Sequence, residues 1–395
     1  YRMIRKSLIE TIFDAASIER WNDHIRPSRG FTELDKQAHK MVYAYTLGKI
    51  NKNTDWRKLI EGGIFEFLHR LLLTDIKPPV YHKLMDRKGD ELNHWSVEQI
   101  KCDVEHIPQN FLEKFEKYLI DPKYSENEKG ILNAAHYLAT KWEFDIIYDM
   151  CRSYYGIDDT RREIDSKIDS FSDLEYFKTY QSDNNLKSFT ALIGQLRFQQ
   201  RWSRSPRIPA TSVISHMLVV AVLSYLCSCE IGASDERCVN NFLGGLFHDI
   251  PEVLTRDIVS PVKNSVIGLD ELIKEIEDEQ MESVLFPLIP DDWRSQISYY
   301  TSNEFSSKVV VNGEIKTVTS NEISKNYNRD GFYAIDGEII RACDHLAACV
   351  ETYISHLYGI STRILVDGNR SLYERYKNSV IGGIDFGSLF DYFRI

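Results

Sequence analysis

The chain has 395 residues, 43% hydrophobic and 12% aromatic, with a formal net charge of −11. This much apolar material excludes a generally disordered chain and suits two domains better than one. The acidic balance excludes a protein that holds long nucleic acid by its phosphates, yet it allows a local basic pocket for a small phosphorylated ligand.

Taken in chain order, most of the sequence reads as helix. Arg5 and Lys6 lead into an amphipathic pattern, so no secretory leader is expected. Arg20-Trp21 precedes His39, which opens an apolar run, and Gly62-Gly63-Ile64-Phe65 starts the next helical segment. Phe111, Leu112, Phe115, Tyr118 and Leu119 fall on one helical face, as do Leu269, Leu272, Ile273 and Ile276 further on. Residues 156–185 are charged and weakly apolar and are expected to form a linker helix. The apolar stretch from Met217 to Cys227 is shorter than the roughly 18 residues of a membrane span. Cys227 and Cys229 belong to an odd set of seven cysteines without framework spacing, which suits buried thiols in a reducing cytoplasm. One segment departs from helix. Lys308–Val311 and Glu314–Val318 flank Asn312-Gly313, a strong hairpin signal, so a two-stranded insertion is expected over about 308–318.

The sequence also resembles itself. Gly62-Gly63-Ile64-Phe65, running on to Thr74-Asp75-Ile76-Lys77-Pro78-Pro79-Val80, aligns without a gap to Gly244-Gly245-Leu246-Phe247, running on to Arg256-Asp257-Ile258-Val259-Ser260-Pro261-Val262. Arg20-Trp21 parallels Arg201-Trp202, His39 parallels His216, and the block from Ile131 parallels that from Ile339, all in the same order. The expected fold is therefore all-α, with two tandem helical bundles: 1–155, the linker 156–185, and 186–395.

The second copy carries the chemistry. His248 and Asp249 are adjacent, so an imidazole and a carboxylate can reach one ion from one helix, and helical spacing would put Glu252 a turn beyond His248. His216 and Asp344, from separate helical segments, complete a His₂Asp₂ set that suits one divalent ion, whether Mn, Co, Zn, Ni, Fe or Mg. These residues resemble the HD-domain phosphohydrolase superfamily: a distant His, an adjacent His-Asp and a later Asp. The likeness is strongest to the YfbR-like 5′-deoxynucleotidase family, in which an Arg-Trp pair precedes the first His, as Arg201-Trp202 precedes His216, and a stretch like His248 to Lys263 follows. The resemblance implies that His216, His248, Asp249 and Asp344 bind the metal and that Glu252 orients or deprotonates the hydrolytic water, with Asp257 beside it or on the sugar hydroxyl. It further implies that Arg201 grips the phosphate, Trp202 presses on the sugar, and Lys263 is a further phosphate contact. Ser215 and Met217 depart from the family's Glu and Ser beside the first His.

A metal-dependent 5′-nucleotidase of (deoxy)nucleoside monophosphates is thus expected. The alternatives are a nucleoside triphosphate hydrolase, a cyclic or signalling-nucleotide phosphodiesterase, and a non-catalytic nucleotide-binding scaffold. Neither a long nucleic acid nor a membrane is an expected partner. In the first copy Glu66-Phe67 replaces His-Asp, Arg70 replaces Glu252 and His136 replaces Asp344, leaving His39, Glu66 and His136 as ligand types. That half is expected to be inactive and to complete a pseudo-dimer within one chain, which could associate further.

Overall fold

The computed structural model describes residues 4–21, 31–73, 76, 78–255 and 266–395. The first half runs through α1 (Lys6–Asp14), α2 (Glu33–Ile50), α3 (Trp56–Leu72), α4 (Pro78–Val104), α5 (Phe111–Ile120) and α6 (Glu126–Met150). Next come α7 (Ile157–Asp169), α8 (Glu175–Ser182) and α9 (Asn184–Gly194). The second half holds α10 (Val213–Glu230), α11 (Asp235–Phe247), α12 (Glu252–Thr255), α13 (Leu269–Gln280) and α14 (Asp291–Thr301). A hairpin of β1 (Lys308–Val311) and β2 (Glu314–Thr317) precedes α15 (Gly337–Leu357) and α16 (Arg363–Tyr376). The chain closes with β3 (Val380–Ile381), β4 (Ile384–Asp385) and α17 (Phe386–Asp391).

Among the described residues the fold is all-helical apart from these two antiparallel strand pairs. The expected hairpin forms where Asn312 and Gly313 both take positive φ, 53° and 81°, the backbone that a two-residue turn between twisted strands requires. It packs through Val309 on Ile323 and Ala334, in a satellite cluster apart from the main core. The second pair, turning at Gly382-Gly383, was not among the sequence expectations; strands this short carry no period to read.

Two helices organise the interior. Among the described residues α10 alone is long and apolar enough to cross a bilayer, and 94% of it is buried in the protein. Its counterpart α2 is buried almost throughout and packs against α6, α9 and α10. Cys227 and Cys229 are both buried, because α10 is covered on every side. The stretch expected to be a linker forms α7 and α8 and runs into the start of α9, with α7 packed on α6 and the other two on α2. One continuous apolar core runs from Ile4 to Phe393 through both halves. Polar contacts cross between them too: Tyr225 donates from its hydroxyl to Glu61 at 2.5 Å, and Tyr45 to Gln296 at 2.8 Å.

α2 and α10 begin alike. Thr32 and Ser212 are the N-caps, each accepting from the backbone N–H three residues on, at Asp35 and Ser215. Just upstream, Trp21 and Trp202 share an unusual positive φ of 59° and 56°, and isolated bridges pair Glu19 with Thr32 and Gln200 with Ser212. The capped ends then meet: the Ser215 hydroxyl donates to Asp35 Oδ1 at 2.6 Å, and Ser212 Oγ bonds the same oxygen.

Candidate functional site

Four residues past its cap, α10 places His216 in the interior, 1% exposed. α11 lies so close to α10 that a Cβ on Gly245 would come within 2.8 Å of the Ala221 Cα, and this approach brings the end of α11 beside His216. The sequence reading carried the helix through His248 to Glu252, but α11 ends at Phe247. Pro251 has no N–H to continue the ladder, so the chain passes into i→i+3 bonds from Ile250 to Phe247 and from Glu252 to Asp249. Glu252 instead opens α12, its N–H donating to the Asp249 carbonyl at 3.0 Å. The break leaves both side chains of the His248-Asp249 pair facing His216.

These groups and Asp344 of α15 converge. His216 Nε2 is 2.6 Å from Asp344 Oδ1, and His248 Nε2 is 3.2 Å from Asp249 Oδ2 and 3.9 Å from Asp344 Oδ1. Ligand atoms of His216, His248 and Asp249 all lie within 4.8 Å of one another. His248 Nδ1–H donates to the Gly245 carbonyl at 2.7 Å, which turns Nε2 towards the carboxylates, and that buried Nε2 makes no hydrogen bond. Burial works against a charged His248, yet Asp249 and Asp344 outweigh it and push its pKa up to about 9. Against its own burial, Asp344 is held far below the ordinary carboxylate range by His216, His248 and Arg201. An orphaned imidazole nitrogen facing two ionised carboxylates fits a divalent cation.

Sequence reasoning missed the residue behind these ligands. Glu351, two helical turns after Asp344 and 1% exposed, accepts from Trp202 Nε1 at 2.8 Å, Arg201 Nε at 3.4 Å and Thr211 Oγ1 at 2.8 Å. Arg207 and His216 Nδ1 both lie 3.8 Å from Glu351 Oε1, the oxygen that Thr211 bonds. Burial would raise the Glu351 pKa, but Arg201 and Arg207 prevail and bring it down to about 2. The Arg201-Trp202 motif is therefore anchored on a carboxylate that also backs a candidate metal ligand. Trp202 lies against Gly368 of α16, where a Cβ would stand 3.3 Å from the ring. Asp257 and Lys263, and Asp75 of the first half, lie outside the described residues.

The first half repeats the frame with other contents. Arg20 and Trp21 donate to Glu143, two turns after His136, as Arg201 and Trp202 do to Glu351. Four residues past the Thr32 cap stands Lys36, whose Nζ is 2.5 Å from His136 Nδ1. His39, paired with His216 in the sequence reading, is engaged elsewhere, with Nε2 2.9 Å from the Thr190 carbonyl. Matching by residue type had set that pairing three residues off the capped register. Lys40 bonds Glu66, and Arg70 lies 3.5 Å from Glu33. Burial, together with Lys36, Lys40 and Arg20, drives the His136 pKa well below its ordinary value.

Residues 193–372 match the family model described as HD domain. A 5′-deoxynucleotidase of Pasteurella multocida is 26% identical over 127 residues, covering 31% of this chain and 65% of that protein. A 4′-phosphooxetanocin A phosphatase of Priestia megaterium is 30% identical over 122 residues, covering 30% and 61%. A dATP triphosphohydrolase of the Acinetobacter phage SH-Ab 15497 is 29% identical over 72 residues, covering 17% and 36%. The chain spans less than two thirds of the length of each of these relatives.

Proposed function

We propose, from the match of residues 193–372 to the HD domain model, a metal-dependent phosphohydrolase that cleaves phosphate esters of (deoxy)nucleotides, 5′-monophosphates first. The observation that carries this reading is the meeting of His216, His248, Asp249 and Asp344, with the buried His248 Nε2 left without a hydrogen bond. Charge supports it as well. Asp249, Asp344 and Glu351 meet the guanidiniums of Arg201 and Arg207 and His248 with its raised pKa, and a divalent ion would take the place of the proton that Asp249 and Asp344 hold on that imidazole. A bound divalent ion would supply Lewis acidity at a phosphoryl oxygen and acidify water.

The chain's own residues do the rest. Glu351 fixes the Arg201 guanidinium and the Trp202 indole, so both are set before substrate arrives, and it backs His216 from the Nδ1 side. Arg201 would take the phosphate with a planar fork, and Trp202 would offer its face to the sugar. Glu252, one short turn beyond Asp249, would accept the proton of the hydrolytic water, with Asp257 beside it. Lys263 would add a phosphate contact. The first half would act as a non-catalytic partner, completing a pseudo-dimer whose halves share one core.

The test is a panel of dAMP, AMP, dATP, a cyclic nucleotide and guanosine tetraphosphate, assayed with several divalent ions, with phosphate release followed for wild type and His248→Ala. Phosphate from dAMP or AMP, metal-dependent and lost in the variant, is the expected result. Release that persists in His248→Ala would sink the assignment.

A further inference from the structure

In the first half the charges of the site are inverted. Aligned from the caps Thr32 and Ser212, Lys36 and Lys40 hold the places of His216 and Val220, and Arg70 holds that of Glu252. Glu33, Lys36 and Lys40 lie along one face of α2, and Glu66 and Arg70 lie a turn apart on α3. Direct contacts join the two faces. Arg20 Nη1 and Arg70 Nε approach the same oxygen, Glu33 Oε2, at 3.2 and 3.5 Å, while Lys40 bonds Glu66.

Cations outnumber acids here. Arg20, Lys40, Arg70 and Arg197 face Glu33, Glu66 and Glu143, with Arg197 2.6 Å from Glu143. Each acid is further engaged: Glu33 accepts from Gln37 at 2.7 Å, Glu66 from Tyr118 at 2.6 Å and Glu143 from Trp21 at 2.9 Å. Lys36 is fully buried, and among the described residues only the His136 ring lies within hydrogen-bond reach of its amine, which can donate more than once. Burial, with Arg20 and Lys40 nearby, draws the Lys36 pKa well below its ordinary value, so it enters as a donor and not as a fixed charge. Arg70 is the loose member: among the described residues it makes one ion pair, at 3.5 Å, and no hydrogen bond. Its side chain is 28% exposed and His136 is half-buried, so the cluster is not sealed from solvent.

We propose that Arg20, Lys36 and Arg70 form a site in the first half for a phosphate group, bound without a metal ion. The proposal goes beyond the phosphohydrolase reading and concerns binding alone. Two guanidinium forks with a buried amine behind them suit a phosphate dianion, and the same surplus of positive charge repels a divalent cation. The phosphate is either the free ion or the end of a nucleotide. Trp21 matches Trp202 in its positive φ and in its bond to a buried glutamate, so the frame beside the phosphate is the one kept in the second half.

The experiment is calorimetric titration of the full chain, in excess chelator, with inorganic phosphate and with dAMP. Wild type should bind at least one of them: tighter binding of dAMP identifies a nucleotide, and equal binding identifies the free ion. Arg70→Gln and Lys36→Met should each weaken that binding by about tenfold or more, while Arg201→Gln, in the second half, should keep wild-type affinity. If Lys36→Met does not fold, Arg70→Gln, which alters a partly exposed side chain, decides alone. No binding of either ligand by wild type, undiminished binding in Arg70→Gln, or binding abolished by Arg201→Gln overturns the site. Because the chelator removes metal-dependent turnover from the readout, a chain that hydrolyses nothing in the nucleotide panel refutes the enzyme reading and leaves this result to be judged separately.

Discussion

The two halves use one frame for opposite ends. In each, a capped helix, an Arg-Trp turn and a buried glutamate are joined in the same way: Thr32, Arg20-Trp21 and Glu143 in one, Ser212, Arg201-Trp202 and Glu351 in the other. At the centre they part. The second half gathers imidazoles and carboxylates around one another, whereas the first brings Lys36 and Lys40 against His136 and Glu66. Burial and the nearby Arg20 and Lys40 bring the Lys36 pKa well below its ordinary value, so its Nζ fills the place by bonding His136 and not as a fixed charge. In the first half the corresponding place is closed by the chain's own side chains, Lys36 against His136 and Lys40 against Glu66.

This contrast can be broken most sharply at its centre. Asp344→Asn should remove bound metal and cut turnover by more than the roughly 10–100-fold typical of losing an outer-shell partner, whereas His136→Asn, at the corresponding place in the first half, should leave turnover unchanged. Metal analysis alongside phosphate release checks both. Next come the shared glutamates. Glu351→Ala and Glu143→Ala each strand buried guanidiniums and should each cost about 3–5 kcal/mol in denaturant unfolding; a much smaller loss for Glu143→Ala would show that the first frame is dispensable.

Acid should act on the halves together. Glu33 and Glu351 are both held down to about 2, despite burial, by neighbouring cations. Their contribution is therefore fully present above the unfolded carboxylate value of about 4.3 and is lost as pH falls towards 2. Thermal melts should decline across that window, and a flat profile would contradict the shifts. The smallest effect is expected at the seam: Asp35→Ala deprives the Ser212 and Ser215 hydroxyls of their shared acceptor and should cost roughly 1–3 kcal/mol in urea unfolding.

What could be read from the sequence was what depends on local chemistry. The hairpin at Asn312-Gly313 followed from two residues that tolerate positive φ, and the ligand types from an adjacent His-Asp with a distant His and Asp. Pro251 already marked where α11 must stop, yet helical periodicity was extended through it. Glu351 escaped because a single acid in an apolar helix reads as a solvated face, and its guanidinium partner lies 150 residues away in the chain. The signal was nonetheless present: Glu143 and Glu351 each stand seven residues after the position where His136 and Asp344 are compared. The Asp35 seam had no local signature, since it exists only once two capped helices abut.

The unbroken apolar interior from Ile4 to Phe393 has a cost for anyone hoping to isolate the chemistry. Severing the polypeptide ahead of α10 would strip that helix of its α2 flank and leave a greasy, aggregation-prone scar where Tyr225 and Tyr45 now reach across. The first half is thus bound to the fate of the second, and neither can drift in shape without the other following.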